Sequence, residues 1–281
     1  MRHPVRTALV TGCSTGMGRA VALALHARGL VVYATARKLR SLDDLHSAGL
    51  RTAALDVDSE ASIQALLQRL EQDGAVVDLL INNAGFGAMG PLAELPLAQL
   101  QRQFQTNVFS LMAVTQALLP PMFDRRSGCI VNIGSVSGVT ATPFSGAYCA
   151  SKAAVHALSD ALRMELAPFG IRVVTVQPGG IQSDFGITAT AALNATSDGR
   201  SSRYAALSGA IADRASASQN GAMPAELFAR HLVDAVLSDK PFSILRIGKH
   251  SRMLPALAHL PSRARDALLS RRFGLDRLRP Q

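Results

Sequence analysis

The chain has 281 residues, 48% of them hydrophobic and 17% charged, which is enough to bury a sizeable core in one large α/β domain. Only Met1 to Val5 precede the first apolar run, Arg6–Val10, which leaves no room for a secretory signal. No apolar stretch approaches the length of a membrane span. We therefore expect a cytoplasmic protein built as one domain.

The positive charge is concentrated at one end of the chain. The net charge is +9, and residues 249–281 contain eight Lys or Arg against two Asp. This predicts a basic tail over 249–281 that follows a domain over 1–248. Aromatic content is 5% and no helix-turn-helix or zinc pattern occurs, so a nucleic-acid partner is not expected. The three cysteines, Cys13, Cys129 and Cys149, lack the paired spacing of metal sites or disulfides, and we predict no metal site.

Short apolar runs alternate with longer helical patterns along the chain. The predicted strands span Thr7–Val10, Val31–Thr35, Thr52–Leu55, Leu79–Asn82, Ile130–Gly134, Val173–Gln177 and Phe242–Ile247. The predicted helices span Arg19–Ala27, Ser59–Glu71, Leu97–Leu119, Ser151–Ala167 and Pro224–Leu237. Because the strands are continuous apolar runs joined through helices, they predict a seven-stranded parallel sheet with helices on both faces, a doubly wound α/β fold.

A glycine-rich turn follows the first predicted strand and runs directly into a helix. Glycines here allow a tight turn and a close approach of the backbone to a pyrophosphate, whose charge is stabilised by the helix N-terminus. The residues predicted to contact a dinucleotide in this turn are Gly12, Ser14, Thr15, Gly16, Met17 and Gly18. Their position between strand and helix makes the prediction more specific than the glycines alone.

The end of the second strand predicts which dinucleotide is bound. An acidic side chain at this point would hold the ribose hydroxyls, whereas a basic one would hold a 2′-phosphate. The chain has Arg37 and Lys38 there and no acid. Guanidinium pairs well with phosphate, so NADP(H) is predicted. The alternative is that both residues are solvated surface charges.

Tyr148 and Lys152 are four residues apart, which places the phenol and the ammonium on one face of a helix. A free phenol titrates at about 10, too high for ready proton exchange near neutrality. A nearby ammonium stabilises phenolate and lowers this pKa. Tyr148 is therefore predicted to act as general acid in reduction and as general base in oxidation.

The glycine spacing, with Ser135, Tyr148 and Lys152 following in order, resembles the short-chain dehydrogenase/reductase family from about Arg6 to Ser183. The resemblance implies a single Rossmann-type domain. It also implies that Ser135 donates a hydrogen bond to the substrate oxygen where negative charge develops. Asn107 matches the Asn that in this family holds a water joining Lys152 to solvent; an amide at the surface or at an interface is the alternative.

The same resemblance extends the predicted cofactor site beyond the glycine turn. The implied contacts are Asp56 and Val57 near the adenine, Asn83, Ala84 and Gly85 on the adenosine side, Pro178, Gly179 and Ile181 at the nicotinamide, and Tyr148 and Lys152. Ser183 stands where the family usually has a Thr that binds the carboxamide. This departure makes the contact of Ser183 a weaker expectation than the others.

The residue set favours an enzyme that interconverts a ketone or aldehyde and an alcohol. A dinucleotide-sensing protein, the main alternative, need not keep the proton-transfer residues, and a nucleic-acid-binding protein is suggested only by the net charge. Ala34–Arg37 and Pro143–Lys152 resemble the branch with 17β-hydroxysteroid dehydrogenases, retinol dehydrogenases and acyl-dihydroxyacetone-phosphate reductases. This resemblance implies a lipophilic substrate.

Three further predictions concern access and assembly. Residues 183–221, rich in Ala, Ser, Thr and Gly, predict a lid over the substrate, with a poorly ordered insertion as the alternative. Apolar residues on several sides of Leu97–Leu119 and Ser151–Ala167 predict a homodimer or homotetramer. Between Pro261 and Arg279 apolar residues alternate with arginines, which indicates peripheral membrane contact or a helix packed on its own domain or on a partner subunit.

Overall fold

The computed structural model describes residues 5–183, 202–217, 219–238 and 242–278. Its strands are β1 Thr7–Val10, β2 Val31–Ala36, β3 Arg51–Ala54, β4 Leu79–Asn82, β5 Gly128–Ile133, β6 Ile171–Pro178 and β7 Ile244–Ile247. They form one seven-stranded sheet in the order β3-β2-β1-β4-β5-β6-β7, and every neighbouring pair is parallel. The predicted doubly wound parallel sheet is thereby confirmed.

Helices connect the strands and continue beyond the last one. They are α1 Gly16–Ala27, α2 Asp43–Ser47, α3 Glu60–Gln72, α4 Leu97–Phe104, α5 Ser110–Arg125, α6 Gly146–Leu166, α7 Ser208–Ser216, α8 Ala225–Leu237, α9 Met253–Leu257 and α10 Ser262–Arg272. The helix predicted over Leu97–Leu119 is longer and interrupted, since a π-helical segment, Gln105–Phe109, joins α4 to α5. The helix predicted to begin at Ser151 begins at Gly146, so Tyr148 lies inside α6.

Apolar side chains fill the space on both faces of the sheet. On one face, Leu25 of α1 and Phe228 and Leu232 of α8 are fully buried against the strands. On the other face, Leu66 of α3 and Met122 of α5 belong to a second buried cluster with the strands. Burial on both faces explains why the strands read as continuous apolar runs rather than as alternating ones.

The lid segment, residues 183–221, contains a described helix. Residues 184–201 and 218 of the predicted lid lie outside the described residues. Leu207 and Ile211, at the start of α7, are buried against Phe144, which precedes α6 by two residues. The described part of the lid is therefore packed on the domain rather than an unstructured insertion.

The basic tail also packs on the domain. Phe273, Leu275 and Leu278 contact the cluster formed by Phe144, Leu207 and Ile211. This contact favours the alternative of a tail packed on its own domain, because these apolar side chains are the ones that would otherwise face a bilayer. None of the helices in the described part of the chain combines the length and apolarity needed to span a membrane.

Buried amides tie α6 to the middle of the sheet. Asn82 Nδ2 donates to Thr115 Oγ1 and to Asn132 Oδ1, each at 2.9 Å. Asn132 Nδ2 in turn donates to Ser159 Oγ at 2.9 Å, and Ser159 Oγ donates to Val155 O. The network crosses from β4 and β5 to α5 and α6, so it sets where α6 lies along the sheet.

Replacement of Ser159 by alanine tests this network. Ser159→Ala leaves one N–H of the buried Asn132 amide without an acceptor, which costs about 1–3 kcal/mol. We expect the free energy of unfolding, measured by urea titration, to fall by this amount. Ser216→Ala is the matched control, because Ser216 Oγ also donates to a carbonyl four residues earlier but lies in an exposed hydrogen bond. Equal losses in the two variants would contradict a specific role of the network.

Candidate active site

The predicted site lies at the edge of the sheet where the carboxyl ends of β1, β4, β5 and β6 meet. β1 lies between β2 and β4, so the chain leaves β1 and β4 toward opposite sides and a crevice opens between them. Ligands of open α/β sheets bind at such a switch point. The loops that follow these strands carry the glycine turn, Asn83 to Gly85, Ser135 and Pro178 to Ser183.

Asn83 and Thr11 hold the glycine turn against β4. Asn83 Nδ2 donates to Thr11 O at 2.9 Å and to Gly12 O at 3.1 Å. The backbone N–H groups of Asn83 and Ala84 donate to Thr11 Oγ1, each at 3.0 Å. A Cβ on Gly12 would lie 2.9 Å from Ala84 Cα, and one on Gly18 would lie 2.4 Å from Gly12 O. Only glycine fits at these two positions, and Asn83 and Ala84 shape the turn directly.

The N-terminus of α1 is open toward the crevice. No described side chain caps this helix at Thr15, and its first turn contains no acidic residue. The N–H groups of Gly16, Met17 and Gly18 are the ones that a helix leaves without intrahelical acceptors, and they attract an anion. The side chains of Ser14 and Thr15 are exposed beside them. This donor set fits the pyrophosphate of a dinucleotide.

Arg37 and Lys38 follow β2 directly, and both are exposed at the same edge of the sheet. Arg40 lies in the short 3₁₀ turn that comes next and is exposed as well. Among the described residues none of these three cations forms an ion pair. Their charge is therefore available to a phosphate, and Arg40 is a member of the cluster that sequence reasoning did not identify.

Asp56 and Val57 lie directly beyond β3, as their place in the sequence implies. Asp56 Oδ1 accepts a hydrogen bond from Asp58 N at 3.1 Å, and Asp56 N donates to Ser62 Oγ at 2.9 Å. Val57 packs partly against the core cluster of α3 and α5. Leu55 N, just before this loop, donates to Ala36 O at 2.9 Å, which places the loop next to the cationic residues beyond β2.

The loop after β6 closes the other side of the crevice. Gly179 N donates to Ile247 O of β7 at 2.9 Å, which continues the pairing beyond Pro178. Ile181 is buried, and Ser183 N donates to Gln219 Oε1 at 2.9 Å. A Cβ on Gly16, whose φ is +60°, would lie 2.9 Å from Ser183 Cβ. Ser183 therefore lies against the glycine turn.

Tyr148 and Lys152 lie one turn apart in α6, and the loop after β5 brings Ser135 to them. The side chains of Ser135 and Tyr148 are hydrogen-bonded. Lys152 is buried, and its Nζ donates to Ile133 O at 2.7 Å and lies 5.9 Å from the centre of the Tyr148 ring. The three side chains with predicted roles in proton transfer thus form one cluster at the carboxyl end of β5.

Burial dominates the electrostatics of this cluster. It raises the pKa of Tyr148 to about 12, against the opposing effects of the Ser135 hydrogen bond and the charge of Arg214. Loss of solvation thus outweighs these favourable contacts, and the lowering of this pKa by Lys152 together with oxidised nicotinamide stays a prediction. Burial also lowers the pKa of Lys152 to about 8. Both shifts reflect the cost of a charge in a poorly solvated site.

Asn107 lies in the π-helical segment and is buried, so the alternative of a surface or interface amide is wrong. Its Oδ1 accepts from Phe86 N at 3.1 Å, and its Nδ2 donates to Phe86 O at 3.0 Å and to Ser151 Oγ at 3.1 Å. A Cβ on Gly85 would lie 3.0 Å from Asn107 Oδ1 and 3.8 Å from Lys152 Nζ. Asn107, Gly85 and Lys152 are therefore neighbours.

His156 supports the Ser135 loop, although the sequence offered no motif that would identify it. Ser135 N donates to His156 Nε2 at 3.3 Å. Burial, and next the charge of Lys152, lower the pKa of His156 to about 4. The ring is thus neutral near pH 7, and its unprotonated nitrogen serves as the acceptor.

The side chains that pack beside Tyr148 come from parts of the chain where no sequence motif predicts a role in the site. Met89, from the loop after β4, and Ala215 of α7 are buried together, and Tyr148 packs against them. Arg214, which precedes Ala215, reaches the loop before α6. The lid segment has only weak helical periodicity, so the positions of Arg214 and Ala215 could not be predicted from the sequence.

Comparison with known proteins agrees with this architecture. The sequence profile described as short chain dehydrogenase matches residues 6–194, which is more than half of the chain. The chain belongs to the short-chain dehydrogenase family. A solved short-chain dehydrogenase from Streptomyces avermitilis is similar over 98% of both chains, with a TM-score of 0.78 and 31% identity. The predicted family and its Rossmann-type fold are therefore confirmed.

Two curated proteins show how far the similarity extends. The uncharacterized oxidoreductase YbbO of Escherichia coli K12 is 40% identical over 184 residues, which are 64% of this chain and 67% of that protein. The NADPH-dependent 1-acyldihydroxyacetone phosphate reductase of Schizosaccharomyces pombe is 38% identical over 177 residues, 62% of this chain and 60% of the relative. The similarity to such relatives spans about two thirds of their length.

The buried ammonium of Lys152 is expected to lower the free energy of unfolding. Its pKa of about 8 is below the usual 10.5, so the unfolded chain binds the proton more tightly, and the cost is fully present below pH 8. The cost disappears as the pH rises toward 10.5, since the folded state releases its proton first. We expect Lys152→Met to raise the free energy of unfolding by about 1–3 kcal/mol at pH 7.

Urea unfolding at pH 7 and near pH 10 checks this expectation. The difference between wild type and Lys152→Met is expected to shrink at the higher pH. Lys38→Met, which removes an exposed ammonium, is the control and should leave stability nearly unchanged at both values. A loss of stability in Lys152→Met at pH 7 would contradict the assignment of a costly buried charge.

Proposed function

We propose that this protein is an NADP(H)-dependent oxidoreductase that interconverts a ketone or aldehyde and an alcohol on a lipophilic substrate. The observation that carries the proposal is the cluster of Ser135, Tyr148 and Lys152 at the crevice that the glycine turn borders. A protein that only senses a dinucleotide would need the turn but not this cluster.

Each residue of the cluster has a separate task in the proposed reaction. Bound nicotinamide supplies a hydride in reduction and accepts one in oxidation. Ser135 donates a hydrogen bond to the substrate oxygen, where negative charge develops. Tyr148 gives its hydroxyl proton to that oxygen in reduction and takes it back in oxidation. The ammonium of Lys152 stabilises the tyrosinate between these steps.

Asn107 completes the proposed proton path. Its amide oxygen lies next to Gly85, and Gly85 is also next to Lys152 Nζ. A water held there would connect the ammonium to solvent, so that Lys152 can return a proton to Tyr148. The hydrogen bonds of Asn107 to Phe86 and Ser151 keep the amide in place for this role.

The choice of NADP(H) rests on the cations beyond β2. Arg37, Lys38 and Arg40 are exposed there and, among the described residues, without acidic partners. A 2′-phosphate would pair with the planar guanidinium of Arg37. The relative from S. pombe is by its name NADPH-dependent, which supports the same cofactor for this chain.

The lipophilic substrate is supported by the walls of the site. Met89 and Ala215 pack against the Tyr148 ring. Phe144, four residues before Tyr148, belongs to the apolar cluster that joins the lid segment to the tail. The S. pombe relative acts by its name on an acylated compound.

We also propose a homodimer or homotetramer in the cytoplasm. Leu97 of α4 is 67% exposed and Phe109, just before α5, is 58% exposed, and these large apolar side chains fit a subunit interface. The free, buried thiols of Cys13, Cys129 and Cys149 fit a reducing compartment. Peripheral membrane contact through the arginines of α10 would leave the contacts of Phe273, Leu275 and Leu278 with the domain intact.

Tyr148→Phe tests the proposed chemistry. The variant removes the proton donor and keeps the ring that packs on Met89 and Ala215, so turnover should fall by about 10²-fold or more while NADPH affinity stays nearly unchanged. Steady-state reduction of an aldehyde and ketone panel and a fluorescence titration of NADPH measure both quantities. Tyr33→Phe, which changes a buried tyrosine of β2 whose hydroxyl bonds to Asp73, is the control. Turnover of Tyr148→Phe within tenfold of wild type would refute the assignment.

Arg37→Ala tests the choice of cofactor. Loss of a charge-assisted contact to the 2′-phosphate should weaken NADPH binding by about 1.5–3 kcal/mol and leave NADH binding unchanged. Titration of each nucleotide against each variant gives the comparison. Arg163→Ala, which removes an arginine paired with Asp160 far along α6, controls for general charge effects. Equal weakening of NADPH and NADH would contradict this role of Arg37.

A further inference from the structure

Arg214 projects from α7 of the lid segment toward the loop before α6. Its Nε donates to Thr142 Oγ1 at 3.0 Å and its Nη2 donates to Ser145 Oγ at 2.9 Å. Both hydroxyl groups are buried, and Ser145 directly precedes α6. The guanidinium is therefore held in one place at the end of the helix that carries Tyr148.

The position of Arg214 is next to the reacting group. Ala215, the following residue, packs with Met89 on the Tyr148 ring. The charge of Arg214 acts on the Tyr148 hydroxyl, whose pKa it lowers against the larger effect of burial. Arg214 therefore lies near Tyr148.

The charge of Arg214 is not balanced by an acid in the described part of the chain. The ion pairs formed there involve other cations, and the hydrogen-bond partners of Arg214 are neutral hydroxyls. Burial lowers the pKa of Arg214, which reflects the cost of its desolvation. Arg214 is partly buried, and a charge that has lost part of its hydration is normally paired with an opposite charge. An anion that binds here would remove this cost.

The edge of the guanidinium that has no partner among the described residues fits such an anion. A guanidinium carries five N–H donors, and Thr142 and Ser145 use one each on the Nε side. One donor of Nη1 and the second donor of Nη2 form the parallel pair that matches two oxygens of a carboxylate or a phosphate. The two hydroxyl contacts pre-orient this pair, which lowers the entropic cost of binding.

We propose that Arg214 binds a carboxylate or phosphate group of the substrate close to the carbonyl that is reduced. This inference rests on the proposed function and narrows it to an amphiphilic substrate with an anionic group near the reacting carbon. The apolar part of the substrate would lie along the wall that Met89 and Ala215 form. Arg214 is then a specificity-determining residue rather than part of the proton-transfer set.

The test compares charged and neutral members of matched substrate pairs. One pair is a 1-acyldihydroxyacetone phosphate and its dephosphorylated form; the other is a 4-oxo fatty acid and its methyl ester. NADPH-dependent kcat/KM is measured for wild type, Arg214→Gln, Arg214→Lys and the control Arg203→Gln, which removes an exposed arginine of the same segment. The phosphate pair and the carboxylate pair distinguish the two kinds of anion.

We expect wild type to prefer the charged member of at least one pair by about tenfold or more, a difference of 1.4 kcal/mol. Arg214→Gln should lose this preference through a higher KM for the charged member, with a smaller loss on the neutral member because the charge near Tyr148 is also removed. Arg214→Lys should keep part of the preference because it keeps the charge. Arg203→Gln should behave like wild type. Equal loss on both members, or no preference in wild type, would overturn the proposal.

A binding measurement separates failure of this inference from failure of the proposed function. Calorimetric titration of dodecyl phosphate, dodecanoate and dodecanol into the full chain reports anion recognition without turnover. Tighter binding of an anionic probe than of dodecanol, lost in Arg214→Gln and kept in Arg203→Gln, would support the site even if no carbonyl in the panel is reduced. Equal binding of all three probes to wild type would refute it even if neutral ketones are reduced.

Discussion

The site depends on how closely α6 approaches the end of β5. A Cβ on Gly138 would lie 2.7 Å from the carbonyl carbon of Lys152, and one on Gly134 would lie 2.3 Å from His156 Nε2. Glycine at these two positions lets the helix and the loop touch, and this contact brings Ser135 within reach of Tyr148. The amide network through Asn132 fixes the helix along the same strand. The geometry of the reacting groups is thus a consequence of backbone packing.

Close packing at this edge of the sheet also removes water from charged groups. Lys152 keeps a single described acceptor, Ile133 O, and Arg214 keeps two hydroxyls. Such charges oppose folding, because loss of hydration is repaid only in part by these contacts. They also act more strongly on a reacting atom, because the surrounding dielectric is low. Stability and reactivity are in conflict at this edge of the sheet, and the large apolar clusters on both faces of the sheet supply the surplus of stability.

The features that the sequence predicted are local or repeat along the chain. Apolar runs predicted the strands, and the four-residue spacing of Tyr148 and Lys152 predicted that both side chains lie on one face of a helix. Features that depend on contacts distant in sequence were not predicted. The buried environment of Asn107 depends on the π-helical segment and on Phe86, 21 residues away. Arg214 meets Thr142 across 72 residues and Ser145 across 69, and no periodicity in the lid segment pointed to it.

Burial also acts on the pKa of Tyr148 in the direction opposite to the effect expected from Lys152. The spacing of Tyr148 and Lys152 implied a lowered phenol pKa, yet desolvation raises it. The sequence shows that Tyr148 and Lys152 are close to each other, but it does not show how completely packing excludes solvent from them. Such a balance depends on Met89 and Ala215, which pack on the ring from two other parts of the chain.

The tail packs on the residues around the start of α7, outside the stretch that the family profile matches. The family profile ends at residue 194, whereas α7 and the residues Phe273, Leu275 and Leu278 lie beyond it and form the outer wall near Phe144. Mutation of Phe273, Leu275 or Leu278 changes this outer wall without replacing a residue of the cluster of Ser135, Tyr148 and Lys152. Substitutions in this outer wall can therefore change what the neighbouring surface accommodates while Ser135, Tyr148 and Lys152 keep their positions in the fold.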